Sequence, residues 1–175
     1  MTAYSEAELR FARPLAAALI AEPSFRVWFS ADPTLAEARH DPARQAKLRS
    51  ADMKNPYWFN YWCGKDRNCI CRIGTGIETD ILLVFERPDS GSTALHIEVK
   101  RPNDRLRKGQ AESYPRRAAC WQNPATRPRT VPAHDSTRLV LVHGFSELPI
   151  AARQAFDAFW HHDEVSRRIA GYPEP

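Results

Sequence analysis

The chain has 175 residues, 43% of them hydrophobic and 26% charged, with a formal net charge of +4. Those proportions exclude a chain disordered throughout, and no run approaches the roughly 18 apolar residues of a membrane-spanning helix. The length suits a single domain over 1–175 with a helical, aromatic insertion at about 30–66. Glu6 and Glu8 ahead of the first apolar run argue against a secretory leader, so the expected address is the cytoplasm.

In chain order, Ser5 and Glu8 have the spacing of a capping box. Leu9, Leu15, Leu19 and Ile20 then recur at helical intervals, which predicts a first helix over about 6–21 with Pro14 as a kink point. The Ala-, Arg- and Gln-rich stretch 35–53 reads as a polar surface helix interrupted at Asp41-Pro42, and 56–62 is a dense aromatic cluster suited to a core or a packing lid. A short strand is expected over 69–73, then a turn at 74–76, a strong strand over 79–85, a loop at 88–92 and an antiparallel neighbour over 94–100. A helix over about 105–121 follows, with Pro115 as a break, then a Pro-rich loop, a strand over 137–143 and a helical tail at about 147–170. The order predicts a mixed α/β domain, a central sheet flanked by helices.

The charge is unevenly spread. Residues 100–129 hold nine basic residues against Asp104 and Glu112, a net of +7 that leaves −3 for the rest of the chain. A concentrated basic block is the footprint of a phosphate-gripping surface, with Arg101, Arg105, Lys108, Arg116 and Arg117 as the nucleic-acid-binding candidates.

Along the strand 95–100, Leu95, Ile97 and Val99 take one face and His96, Glu98 and Lys100 the other. Asp80 opens the preceding apolar strand, where an acid is costly unless it is paired or binds metal. If the two strands pair, Asp80 and Glu98 converge on one cation beside Lys100, and all-oxygen ligation suits Mg²⁺ or Mn²⁺. A bound Mg²⁺ would polarise a phosphodiester; Lys100 would act on the attacking water. The competing reading is a cross-strand salt bridge between Asp80 and Lys100.

Asp80, then 17 residues, then Glu98-Val99-Lys100, followed by Gln110 and Tyr114 four apart on one helix, resembles the PD-(D/E)XK nuclease superfamily, in particular the RecB-type branch with its Gln-x-x-x-Tyr motif. The resemblance implies a restriction-endonuclease-like αβββαβ core and a Mg²⁺-dependent deoxyribonuclease acting on DNA, alone, as a homo-oligomer or within a larger nuclease system. It implies metal binding by Asp80, Glu98 and the Val99 carbonyl, with Lys100, Gln110 and Tyr114 at the reacting water and phosphate. The family often adds an acid from helix one; Glu8 is the candidate taken, with Glu6 as its rival. Thr79 stands where the family name has Pro. Glu78 shares a face with Asp80; surface exposure is its expectation and a second carboxylate the alternative. A non-cleaving nucleic-acid-binding or complex-assembly module on the same fold is the alternative function.

The four cysteines, Cys63, Cys69, Cys71 and Cys120, contain no Cys-x-x-Cys. The reading is reduced, partly buried thiols, with Zn²⁺ or an iron–sulfur cluster on all four as the alternative. The run His161-His162-Asp163-Glu164 reads as an exposed helix face.

Overall fold

The computed structural model describes residues 3–49, 55–63, 71 and 78–174. The strand expected at 69–73 and the turn at 74–76 lie outside them, apart from Cys71.

Helix α1 (Ala3–Ala21) buries Ala12, Leu15, Ala16 and Leu19 on one stripe and runs through Pro14. It begins before Ser5, so Ser5 lies inside the helix and is not its cap. Helix α2 (Pro23–Ser30) starts with proline at its first position, where the missing N–H costs nothing, and ends at Ala31 in the left-handed region (φ 52). The buried Arg26 guanidinium gathers carbonyls: Nε donates to Leu19 O at 2.8 Å, Nη2 to Ile20 O at 3.2 Å and Nη1 to Leu35 O at 3.1 Å. It thereby satisfies acceptors left over at the end of α1.

Where the sequence predicts one interrupted polar helix, three short elements form: a 3₁₀ turn (Pro33–Leu35), strand β1 (Arg39–His40) and helix α3 (Pro42–Leu48). Asp41 caps α3, accepting from Arg44 N at 2.9 Å. The aromatic cluster becomes strand β2 (Phe59–Trp62). The region 30–62 therefore adds strands to the sheet as well as helix and aromatic mass.

Strands β3 (Glu78–Glu86) and β4 (Ser92–Val99) are antiparallel, from Glu86↔Ser92 to Ile81↔Ile97. After helix α4 (Gln110–Gln122), β5 (Ser136–His143) runs parallel to β4. The expected helical tail is instead helix α5 (Ile150–Ala155), strand β6 (Ala158–His161), parallel to β5, and helix α6 (His162–Ser166). The mixed six-stranded sheet has the order β1-β3-β4-β5-β6, with β2 sharing β3's outer edge with β1. Between the two edge strands, β3 backbone groups are met by side chains: Gln45 Nε2 donates to Leu82 O at 2.7 Å, and Val84 N donates to Gln45 Oε1 at 3.3 Å.

Alternation divides the sheet. Ile81, Leu83, Phe85, Leu95, Ile97, Val140 and Val142 pack with α1 and α2 in the larger core. Leu82, Val84, Ala94, Leu139 and Leu141 face the α4 side, in two smaller clusters. Asp80, Glu98 and Lys100 have the parity of this second face. No helix among the described residues is long and apolar enough to cross a membrane.

Candidate active site

The β3–β4 ladder stops at Ile81↔Ile97, one residue short of Asp80 and Glu98. There a side chain takes over from the backbone: Asp80 Oδ2 accepts from Val99 N at 2.7 Å. Val99 thus enters the site through its amide, which holds Asp80.

Glu98 is the best-held acid. Lys100 Nζ lies 2.5 Å from its Oε1, Gln110 Nε2 donates to the same oxygen at 2.6 Å, and the Tyr114 hydroxyl donates to Oε2. Lys100 pairs with Glu98 here, two positions along its own strand, so the cross-strand Asp80–Lys100 bridge is not the arrangement formed. Lys100 itself is fixed through its backbone. Its N–H donates to Val142 O at 2.9 Å, and His162 Nε2 donates to its carbonyl at 2.6 Å, with Tyr172 OH at 2.9 Å from His162 Nδ1.

Helix α4 starts later than predicted, at Gln110, because Gly109 adopts the left-handed region (φ 77) as its N-cap. Pro115 does not break it, so Gln110 and Tyr114 keep their shared face toward Glu98. Gln110 is also oriented from behind, accepting from Arg107 N at 3.0 Å.

A third group of acids closes on Asp80. One carboxylate oxygen each from Glu8, Glu78 and Asp80 lies within 4.8 Å of the others. Glu8 is buried; Glu6 is exposed and stands apart. Glu78, expected at the surface, is half-buried and belongs to the cluster. Burial, then the neighbouring Glu98 and Glu8, push the Asp80 carboxyl well above the usual range. Burial followed by Glu98 raises Glu78 as well. Crowded, desolvated carboxylates resist losing their protons unless a cation compensates them.

The basic block is reduced by the fold. Arg117, expected to hold nucleic acid, is 1% exposed. Its Nη1 donates to Glu78 O and to Thr79 Oγ1 at 2.8 Å, its Nη2 to Ser113 Oγ at 3.0 Å, and its guanidinium lies 4.3 Å from the Tyr114 ring centroid. Adjacent arginines on a helix point about 100° apart, so Arg116 is exposed where Arg117 is inside. Arg101 pairs with Asp104 at 2.7 Å. Arg105, Arg107, Lys108 and Arg116 remain at the surface.

His96 shares the face of Glu98 but is fully buried against Trp121, ring centroids 5.1 Å apart; neither ring nitrogen has a hydrogen-bond partner among the described residues. His162 was hidden in a run that reads as exposed helix. It is fully buried, and only the parallel pairing of β6 brings it under Lys100. Cys63, Cys71 and Cys120 come together on the far side of α4; Cys69 lies outside the described residues.

No family model, curated protein or solved structure matches this chain.

Proposed function

We propose that the protein is a metal-dependent phosphodiester hydrolase that cleaves DNA. The observation that carries the reading is the convergence, at one end of the α4-side sheet face, of Glu8, Glu78 and Asp80 with the Glu98–Lys100 pair. Burial and neighbouring carboxylates disfavour the charged forms of Asp80 and Glu78, and a divalent cation bound among them would favour their ionisation. The donors are all oxygen, which fits Mg²⁺ or Mn²⁺.

Asp80, Glu98 and Glu8 would hold the ion, with Glu78 beside them. When bound, it supplies Lewis-acid polarisation of a phosphoryl oxygen and a lowered pKa for water. The side chains do the rest. Val99 N–H aims Asp80 inward. Gln110 and Tyr114 fix the rotamer of Glu98, so that Lys100 Nζ is presented at a set place, where it orients the attacking water and stabilises charge developing on phosphate. Val142 and His162 stop the lysine backbone from shifting. The exposed Arg105, Lys108 and Arg116 would hold the phosphate chain without reading sequence. Choosing DNA over RNA rests on the motif resemblance.

Purified protein incubated with Mg²⁺ or Mn²⁺ and labelled single- and double-stranded DNA tests the proposal. Cleavage that disappears in Lys100→Ala and in chelator supports it. No cleavage by wild type on either substrate, with Lys100→Ala indistinguishable, overturns it.

A further inference from the structure

We propose that Cys63, Cys71 and Cys120 form a structural zinc site, separate from the acidic cluster. The three sulfurs lie within 4.8 Å of one another. Two lie eight residues apart and the third comes from a distant helix. Cys63 directly follows the edge strand β2, Cys71 precedes β3, and Cys120 sits in the last turns of α4. Cys71 and Cys120 are fully buried, within the cluster of Tyr61, Leu82, Val84 and Trp121; Cys63 packs against it from a half-buried position.

Buried cysteines serving only as small apolar side chains spread through a core wherever a gap fits them. These converge instead. The Cys63 and Cys71 sulfurs are 2.8 Å apart, inside ordinary contact for two large atoms, which rest about 3.5–4 Å apart or more. A shared zinc would hold the two sulfurs about 3.8 Å apart, so the pair opens by about 1 Å on binding.

The spacing also selects the kind of centre. Zinc–sulfur bonds of about 2.3 Å in a tetrahedron set the sulfurs about 3.8 Å apart, well inside the observed limit. A cubane iron–sulfur cluster carries its thiolates outward from separate irons and spreads them to roughly 6 Å, beyond it. Sulfur-rich, redox-silent tetrahedral ligation is the preference of Zn²⁺. Binding converts three Cys S–H groups to thiolates on one Zn²⁺ and releases three protons to solvent; no oxidant or reductant takes part. The three cysteines would supply three of the four ligands, and a water or one further side chain would take the fourth position.

The site would lock the C-terminal end of α4 to the edge of the sheet. The same helix delivers Gln110, Tyr114 and Arg117 at its other end, so the metal would act on the acidic cluster only through the seating of α4.

The test uses the full chain purified under reducing conditions without chelator. Zinc is measured by elemental analysis and by release with a mercurial thiol reagent, and Co²⁺ is titrated into zinc-depleted protein. The expected results are stoichiometric zinc freed only on thiol modification, and a Co²⁺ complex with thiolate charge-transfer and tetrahedral visible bands. Cys120→Ser is expected to lower zinc about tenfold or more, while Asp80→Asn keeps it, which separates this site from the acidic one. The wild-type Co²⁺ spectrum decides the matter even if Cys120→Ser does not fold. Failure of wild type to bind zinc or cobalt through sulfur, a Cys63–Cys71 disulfide in protein kept reduced, or iron with labile sulfide in place of zinc would each overturn the proposal.

Discussion

The two ends of α4 gather opposite kinds of side chain. At the N-terminal end, Gln110 and Tyr114 reach an oxygen-rich cluster that includes a lysine. At the C-terminal end, Cys120 meets two other sulfurs in a pocket of aromatic and aliphatic side chains. The first crowds carboxyls together, and burial with neighbouring acids raises Asp80 and Glu78 above the ordinary carboxylate range. The second has soft donors packed among Tyr61, Leu82, Val84 and Trp121. Hard donors with excess charge suit chemistry on phosphate, whereas soft donors in an apolar shell suit a permanent brace.

The sharpest way to break this comparison is to damage one end and read both. Asp80→Asn is expected to reduce cleavage about 1,000-fold or more, in line with the loss of a metal ligand or acid–base group, with thermal midpoint and zinc content near wild type. Cys120→Ser is expected to do the reverse, lowering the midpoint first and activity only as α4 loosens. Parallel gels and thermal melts check both; equal activity losses with unchanged midpoints would erase the distinction.

Arg116 and Arg117 divide the helix between surface and interior. Arg117→Ala removes a buried guanidinium that binds Thr79, Ser113 and the Glu78 carbonyl, and should destabilise by about 3 kcal/mol in denaturant titrations. Arg116→Ala should leave stability within about 0.5 kcal/mol and weaken DNA binding, with a shallower salt dependence.

Tyr114→Phe probes the oxygen end more gently. It removes one donor to the Glu98 carboxylate, a bond to a charged group worth about 2 kcal/mol. A stability loss of that order, together with roughly tenfold slower cleavage at unchanged substrate affinity, is expected from melts and steady-state kinetics.

Acid should expose the buried histidines. Burial, then His134 and Arg117, hold His96 well below its ordinary value of 6.5. The unfolded chain therefore takes up the proton first. Its contribution is complete above about pH 6.5 and falls by up to about 1.4 kcal/mol per pH unit below that, until the depressed value is reached. Asp80 and Glu78 oppose this, since their raised values make the folded state gain as pH falls toward the ordinary carboxylate range. Denaturant midpoints measured at pH 7 and pH 5.5 check this: relative to wild type, His96→Leu should lose less, or gain more, stability on acidification.

The period of two in 95–100 placed Glu98 and Lys100 on one face, and the i, i+4 spacing set Gln110 beside Tyr114; both are local rules, and both survive in the fold. What local rules could not reach depends on contacts between distant segments. Arg117 reads like its neighbours in a basic run until the helix phase turns it inward. The Ala158–His161 strand is too short to announce itself, and His162 depends on it. Glu8 looks like a capping residue until α1 is found to begin earlier and deliver it to Asp80. The three sulfurs meet only because β2, β3 and α4 do.

The backbone of Lys100 is clasped from one side by β5 and from the other by His162, which Tyr172 steadies in turn. Residues 162–174 therefore hold Lys100 in place from beyond the sheet. Shortening the chain to its central strands would keep every motif residue in the sequence, yet leave the Lys100 ammonium group attached to a strand end with half of this backbone anchorage gone.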